Sequence, residues 1–218
     1  PGVDILSIVY KYDIEDTFPD EVYEQLKTIP EEVLEEDRKG RTDLTNQVIF
    51  TIDGADTKDI DDAISIEKLE NGNYKLGVHI ADVSYYVREG TPLDEAAMAR
   101  GTSVYLVDRV IPMIPHQLSN GICSLNEGVD RLAISCVMEI DEQAKIVDYD
   151  IFQSVIRSRK KMTYKDVNSI LEQNIVPSGY EPFADDLRMM ADLAKILRTA
   201  KNKRGYLDFD VDEAKILV

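Results

Sequence analysis

With 218 residues, 44% of them hydrophobic and 31% charged, the chain can bury one substantial core, which excludes a disordered or low-complexity polypeptide. Its two cysteines, Cys123 and Cys136, exclude a disulfide framework; neither has a second cysteine or a histidine at zinc-ligand spacing, so both read as buried reduced thiols. No apolar run approaches the roughly 18 residues of a membrane span, so no membrane partner is expected. A formal net charge of −17 excludes a self-sufficient nucleic-acid binder, because affinity for a polyanion comes from Lys and Arg placed at phosphates.

In chain order, residues 4–12 read as a strand entered without a preceding turn, as though the chain began inside an element. Residues 18–29 read as a short helix and residues 30–39 as an acidic helical stretch closed by Gly40. An apolar strand over 48–52 leads into a loop of carboxylates. Beyond the loop, strands at 63–69 and 74–83 join through Asn71-Gly72, a hairpin signal, with Tyr74, Leu76, Val78 and Ile80 alternating onto one face. Thr91-Pro92-Leu93-Asp94 opens a helix that Gly101 stops, and a strand follows over 102–107. Long paired strands are expected at 131–140 and 145–156, a helix from Thr163 to about Gln173, and a last helix over 182–203 ending at Gly205. Residues 206–218 alternate as a half-buried strand whose partner would come next. Basic residues gather at Arg157, Arg159, Lys160 and Lys161 and again at Lys201, Lys203 and Arg204, where solvated ends are the ordinary reading and phosphate contact the functional one.

The loop concentrates the chemistry. Asp53-Gly54-Ala55-Asp56-Thr57-Lys58-Asp59-Ile60-Asp61-Asp62 carries five carboxylates between two strands. Their repulsion is relieved by solvent, by protonation or by a divalent cation on hard oxygen ligands. A calcium EF-hand is excluded, since Ala, Lys, Thr or Ile fall where oxygen ligands belong and no Glu stands twelve positions on. A strand-then-D-x-D phosphatase nucleophile fails at Ala55. From composition and spacing alone, a solvated acidic turn and a metal site both remain open.

The whole string resembles the D-x-x-x-x-x-D-x-D-D signature that opens the catalytic domain of the RNase II/RNase R family of exoribonucleases. Gly77-Val78-His79-Ile80-Ala81-Asp82-Val83-Ser84-Tyr85-Tyr86-Val87 is similar to the family's second block. A third runs from Gly101 through Tyr105 and Ile111-Pro112-Met113-Ile114-Pro115 to Leu118-Ser119-Asn120-Gly121-Ile122-Cys123-Ser124-Leu125-Asn126, followed by Asp130-Arg131-Leu132. The blocks stand in family order, and the RNase R branch is the nearer match.

That resemblance implies an α+β fold, a mixed and largely antiparallel sheet with flanking helices, of the RNB catalytic type and incomplete in this chain. Residues 1–16 would end a preceding cold-shock-like oligonucleotide-binding barrel, 17–44 form a helical connecting arm, and 45–218 the N-terminal part of the RNB domain. Asp53, Asp59 and Asp62 would hold Mg²⁺, with Mn²⁺ as a substitute. Asp61 would position the attacking water alongside Asp59, and Tyr105 would contact the 3′-terminal nucleotide. Asp56 falls outside this set, and an arginine, a glutamate and an aromatic of the family site belong beyond residue 218. The implied activity is Mg-dependent 3′-to-5′ hydrolysis of RNA to nucleoside 5′-monophosphates by a monomeric cytoplasmic parent. It would grip the 3′ end of single-stranded RNA mainly through its other parts, and the chain alone would be inactive. The alternative is a non-catalytic RNA-binding or protein-interaction module that keeps the fold. Without the resemblance Tyr105 would be an ordinary core aromatic. His79, opposite the apolar face and with no evident partner, reads as structural, and Asp82 and Arg131 as groups that either orient the site or bridge elements.

Overall fold

A computed structural model describes residues 3–207. Its elements run α1 (Val3–Lys11), α2 (Asp20–Leu26), β1 (Thr42–Asp43), β2 (Phe50–Asp53), β3 (Asp62–Lys68), β4 (Tyr74–Ala81), α3 (Val83–Tyr86), α4 (Pro92–Arg100), β5 (Val104–Tyr105), β6 (Val110–Ile111), β7 (Asp130–Ile140), β8 (Ile146–Arg157), β9 (Lys160–Thr163), α5 (Tyr164–Gln173) and α6 (Ala184–Lys203). Seven strands form one sheet in the order β1-β8-β7-β4-β3-β2-β9. Only the outer pairings, β1 with β8 and β2 with β9, are parallel; every inner pairing is antiparallel. This is the mixed, largely antiparallel sheet with flanking helices that the sequence implies.

The hairpin forms as expected: Ile66 faces Leu76 and Ile64 faces Val78 across β3 and β4, while Gly72 takes the left-handed backbone (φ +85°) that the turn requires. These alternate residues line one sheet face. Near the hairpin, α6 covers that face, burying Tyr74 and Ile140 against Leu193, and α5 and α6 bury Phe50 and Met162 further along. At the other end Leu132 and Val155 pack against α2 and α4 through Val22, Leu26 and Leu93. Between the two helical layers the face is open, leaving Ile80 46% and Ile151 60% exposed. The opposite face buries Ala63, Ala81 and Ala133 under Leu44, Ile49, Ile60 and Leu125, all from connecting segments. Both faces are therefore in use, which is why β4 buries His79 on the side that simple alternation would assign to solvent.

Three expectations are corrected. Residues 4–12 are not a strand: Val3–Lys11 is a helix that buries Val9. A β-branched run becomes a strand only beside a partner strand, and none lies beside it among the described residues. Residues 30–39 are turns instead of a helix. Asp37 is buried, and its carboxylate accepts from the backbone N–H of Leu34 (2.9 Å) and from the Tyr85 hydroxyl (2.6 Å), so a side chain takes a donor that a helix would use. Strand 102–107 shrinks to the two residues of β5, paired only with β6 outside the main sheet. The helix boundaries at these two positions hold: Thr163 Oγ1 caps α5 by accepting from Asp166 N (3.1 Å), and Gly101 ends α4 at φ +71°. Most of the strand expected over 206–218 lies outside the described residues.

Candidate metal centre

Strands β2 and β3 are antiparallel neighbours, with Phe50 facing Ile64, so the chain leaving β2 at Asp53 must turn back and enter β3 at Asp62. That return is the acidic loop. Gly54 opens it in ordinary backbone; its role is space, since a Cβ there would lie 3.0 Å from Thr57 Oγ1. Ile60 is fully buried in the core while Asp59 and Asp61 on either side are exposed. One apolar anchor thus projects two flanking carboxylates outward.

Peptide groups fasten the loop. The Ser124 hydroxyl donates to Lys58 O (2.7 Å) and accepts from Ile60 N (3.0 Å). Leu125 N donates to Ile60 O and Ala81 N to Asp61 O, each at 2.9 Å, and Lys161 Nζ donates to Thr57 O. Beneath this, Arg131 is buried and its Nε donates to the Ser124 carbonyl at 2.9 Å. Sequence reasoning gave Ser124 no role and read Lys161 only as one of a basic cluster. Arg131 has its role resolved: it supports the residue that supports the loop.

The four motif acids share a field. Burial raises the Asp53 carboxyl above the usual carboxylate range, and the charges of Asp62, Asp61 and Asp59 raise it further, against the opposing pull of Lys161. Although Asp61 is exposed as a residue, its carboxyl is raised first by partial desolvation, then by the charges of Asp59 and Asp62. Asp56 is not among the charges acting on either. The donor set, hard oxygens in mutual repulsion, fits the chemistry of Mg²⁺ or Mn²⁺. It is not gathered round one point: among the described residues no group of three or more His, Cys, Asp or Glu could hold a metal ion.

The other singled-out residues divide cleanly. Tyr105 is 70% exposed on the β5–β6 ribbon, so core packing does not explain it, and it shares no sheet with the acidic loop. His79 is fully buried and does have partners, correcting the expectation of none: its Nδ1 lies 2.7 Å from Ser135 Oγ and its Nε2 3.2 Å from Ser65 Oγ, and Ser135 continues to Ser154 at 2.6 Å. Burial lowers its pKa to about 4, so it is neutral at ordinary pH. Asp82 is a structural ion-pair partner, held by Arg41 at 2.6 Å with both side chains 2% exposed. The basic cluster is engaged by neighbouring groups while remaining partly exposed, with Arg159 itself on the surface. Arg157 pairs with Asp130 (2.6 Å), Arg159 donates to the carbonyls of Thr45 and Gln47, and Lys160 lies over the Tyr180 ring. Lys201 likewise lies over the Tyr206 ring. Cys123 is buried, its thiol pushed up to about 12, while Cys136 is only half-buried; both are free.

The RNB domain family matches residues 41–218, and the chain belongs to that family, the RNase II/RNase R group. Within it the similarity is to bacterial ribonuclease R. The chain is 53% identical over 221 residues to Ribonuclease R of Thermotoga maritima, covering 100% of this chain and 31% of that protein. It is 50% identical over 218 residues to Ribonuclease R 1 of Lactococcus lactis, covering 100% and 27%. Mycoplasma genitalium RNase R, solved in complex with ribose methylated single-stranded RNA, superposes with a TM-score of 0.91 at 29% identity over 99% of this chain and 33% of that one. The chain thus spans about three-tenths of the length of the curated relatives it matches. Among the described residues no helix is long and apolar enough to cross a membrane.

Proposed function

We propose that the chain is the acidic-loop part of the catalytic domain of a cytoplasmic, Mg-dependent 3′-to-5′ exoribonuclease that hydrolyses single-stranded RNA to nucleoside 5′-monophosphates. One observation carries the reading: Asp53, Asp59, Asp61 and Asp62 stand in a single loop where Asp53 feels the charges of the other three. Asp53, Asp59 and Asp62 would hold the cation, and Mn²⁺ could replace Mg²⁺. The bound ion would supply Lewis-acid polarisation of a phosphoryl oxygen and a more acidic water. Asp61, its proton affinity raised by partial desolvation and by Asp59 and Asp62, suits a group that orients a water and accepts its proton. The exposed ring of Tyr105 suits contact with a terminal nucleotide. Residues 17–44 act as the connecting arm, with 1–16 belonging to the part before it.

The net charge of −17 assigns most of the RNA grip to other parts of the parent polypeptide, and the chain alone does not sustain degradation. A binding module without hydrolysis is the second reading, favoured by the carboxylates not being gathered round one point among the described residues. Asp61→Asn in the full-length parent separates them. It keeps shape and removes a charge, so degradation of a 3′-labelled single strand should fall by orders of magnitude while RNA affinity holds. Degradation at the unsubstituted rate removes Asp61 from its role; a parent inactive before substitution favours the binding module.

A further inference from the structure

Asp59, Asp61 and Asp62 are exposed, and the bonds described above reach the loop through the peptide groups of Thr57, Lys58, Ile60 and Asp61. The spacing of the carboxylates is therefore set by whatever holds that backbone. Ser124, itself fully buried, contributes two of the bonds through one oxygen: it donates to the carbonyl before Asp59 and accepts from the amide after it. A hydroxyl is the smallest side-chain group able to donate and accept at once, and no apolar residue reproduces either bond. Two further contacts keep Ser124 from following the loop if the loop moves. Its carbonyl is tied to Arg131 Nε, and the next residue along, Leu125, bonds Ile60 O and is itself fully buried. The unit is a staple across Asp59, seated in the core and anchored to β7.

We propose that Ser124 is a positioning residue that tunes the divalent-cation affinity of the acidic loop by fixing Asp59 relative to Asp61 and Asp62. This rests on the metal-binding reading of the loop. Groups that orient ligands without touching the metal change affinity by about 10- to 100-fold when removed. Ser135 provides the comparison: it is equally buried, within β7, and its hydroxyl bonds His79 and Ser154 rather than the loop.

The test is a Mn²⁺ titration of the 218-residue chain, read by electron paramagnetic resonance of the free ion, alongside thermal denaturation. Ser124→Ala should raise the Mn²⁺ dissociation constant about 10- to 100-fold, while Ser135→Ala lowers the melting temperature and leaves that constant unchanged. A folded Ser124→Ala chain with unsubstituted affinity overturns the inference and leaves the metal site standing. Should Ser124→Ala not fold, Ser124→Cys keeps the shape with a weaker donor and acceptor, and unchanged affinity there overturns it equally. If the unsubstituted chain binds no Mn²⁺ at millimolar concentration, the metal reading fails and the inference falls with it. Equal weakening by Ser124→Ala and Ser135→Ala would reduce Ser124 to an ordinary contributor to the core.

Discussion

The start and the middle of β3 handle ionisable groups in opposite ways. At its start, Asp61 and Asp62 are exposed, the charges of Asp59 and Asp62 raise the proton affinity of Asp53 and Asp61, and the restraint falls on the backbone. Further along, a half-buried Ser65 joins the fully buried His79, Ser135 and Ser154 in a neutral chain of side chains across β3, β4, β7 and β8. Burying a polar group is tolerable when its hydrogen bonds are met, and the histidine meets both of its own. The carboxylates instead keep unspent repulsion, which a cation or a proton can relieve. One arrangement stabilises the fold; the other leaves it slightly less stable and ready to bind.

Acid should drive the two regions apart. A histidine whose folded pKa is about 4, against 6.5 unfolded, contributes stability that is intact above 6.5 and is lost as pH falls from 6.5 towards 4, on the order of 3 kcal/mol at full extent. For Asp53 and Asp61 the sign reverses. Their raised pKa values mean the folded loop holds protons more tightly than the unfolded chain, so acidification relieves it. Urea denaturation at stepped pH should show a steep loss below 6.5 that His79→Gln removes; an unchanged acid slope in that variant would mean the histidine is already charged in the fold.

A smaller loss should follow from filling the space beside the histidine. A Cβ at Gly77 would overlap Ser65 Oγ and sit 2.8 Å from His79 Nε2, so Gly77→Ala should destabilise by about 1–3 kcal/mol. Gly40→Ala, where nothing lies within 4 Å and only the backbone is left-handed (φ +78°), should cost about 1 kcal/mol. Equal losses at the two glycines would mean that the serine–histidine chain has room to give.

The loop should respond in the other direction. Millimolar Mg²⁺ or Mn²⁺ should raise the melting temperature of the 218-residue chain modestly, and Asp53→Asn with Asp62→Asn should remove that response while raising the ion-free melting temperature. An increase that survives the double substitution would place the cation elsewhere. Least of all should stability register Tyr105→Ala, since the ring is largely exposed. In the full-length parent the same change should lengthen the shortest RNA product, and an unaltered product ladder would deny the ring a role at the terminal nucleotide.

What could be read from the sequence follows how local its causes are. The β3–β4 hairpin, α4 between Thr91 and Gly101, and α5 behind Thr163 are each specified within a few residues, and all three form as expected. Strand β9 could not be read that way. Lys160 and Lys161 look like a basic surface cluster until β2, more than a hundred residues earlier, lies parallel beside them. The helix over Val3–Lys11 and the turns over 30–39 likewise depend on what does or does not lie alongside. The acidic loop was visible through its charge density, and its reading as a metal site came only through the motif it resembles. The bonds from Ser124 that hold it cross more than sixty residues of chain, and nothing near Ser124 in sequence distinguishes it from an ordinary buried serine.

Because peptide groups rather than carboxylates fasten the loop, folding places little demand on the identity of Asp53, Asp59, Asp61 or Asp62. Selection can then preserve these acids only through what they do. A descendant that lost the activity could replace them one at a time and still be soluble, abundant and recognisable as kin. Inherited shape and inherited chemistry are separable in this architecture, and the loop, read residue by residue, is where a lineage records which of the two it has kept.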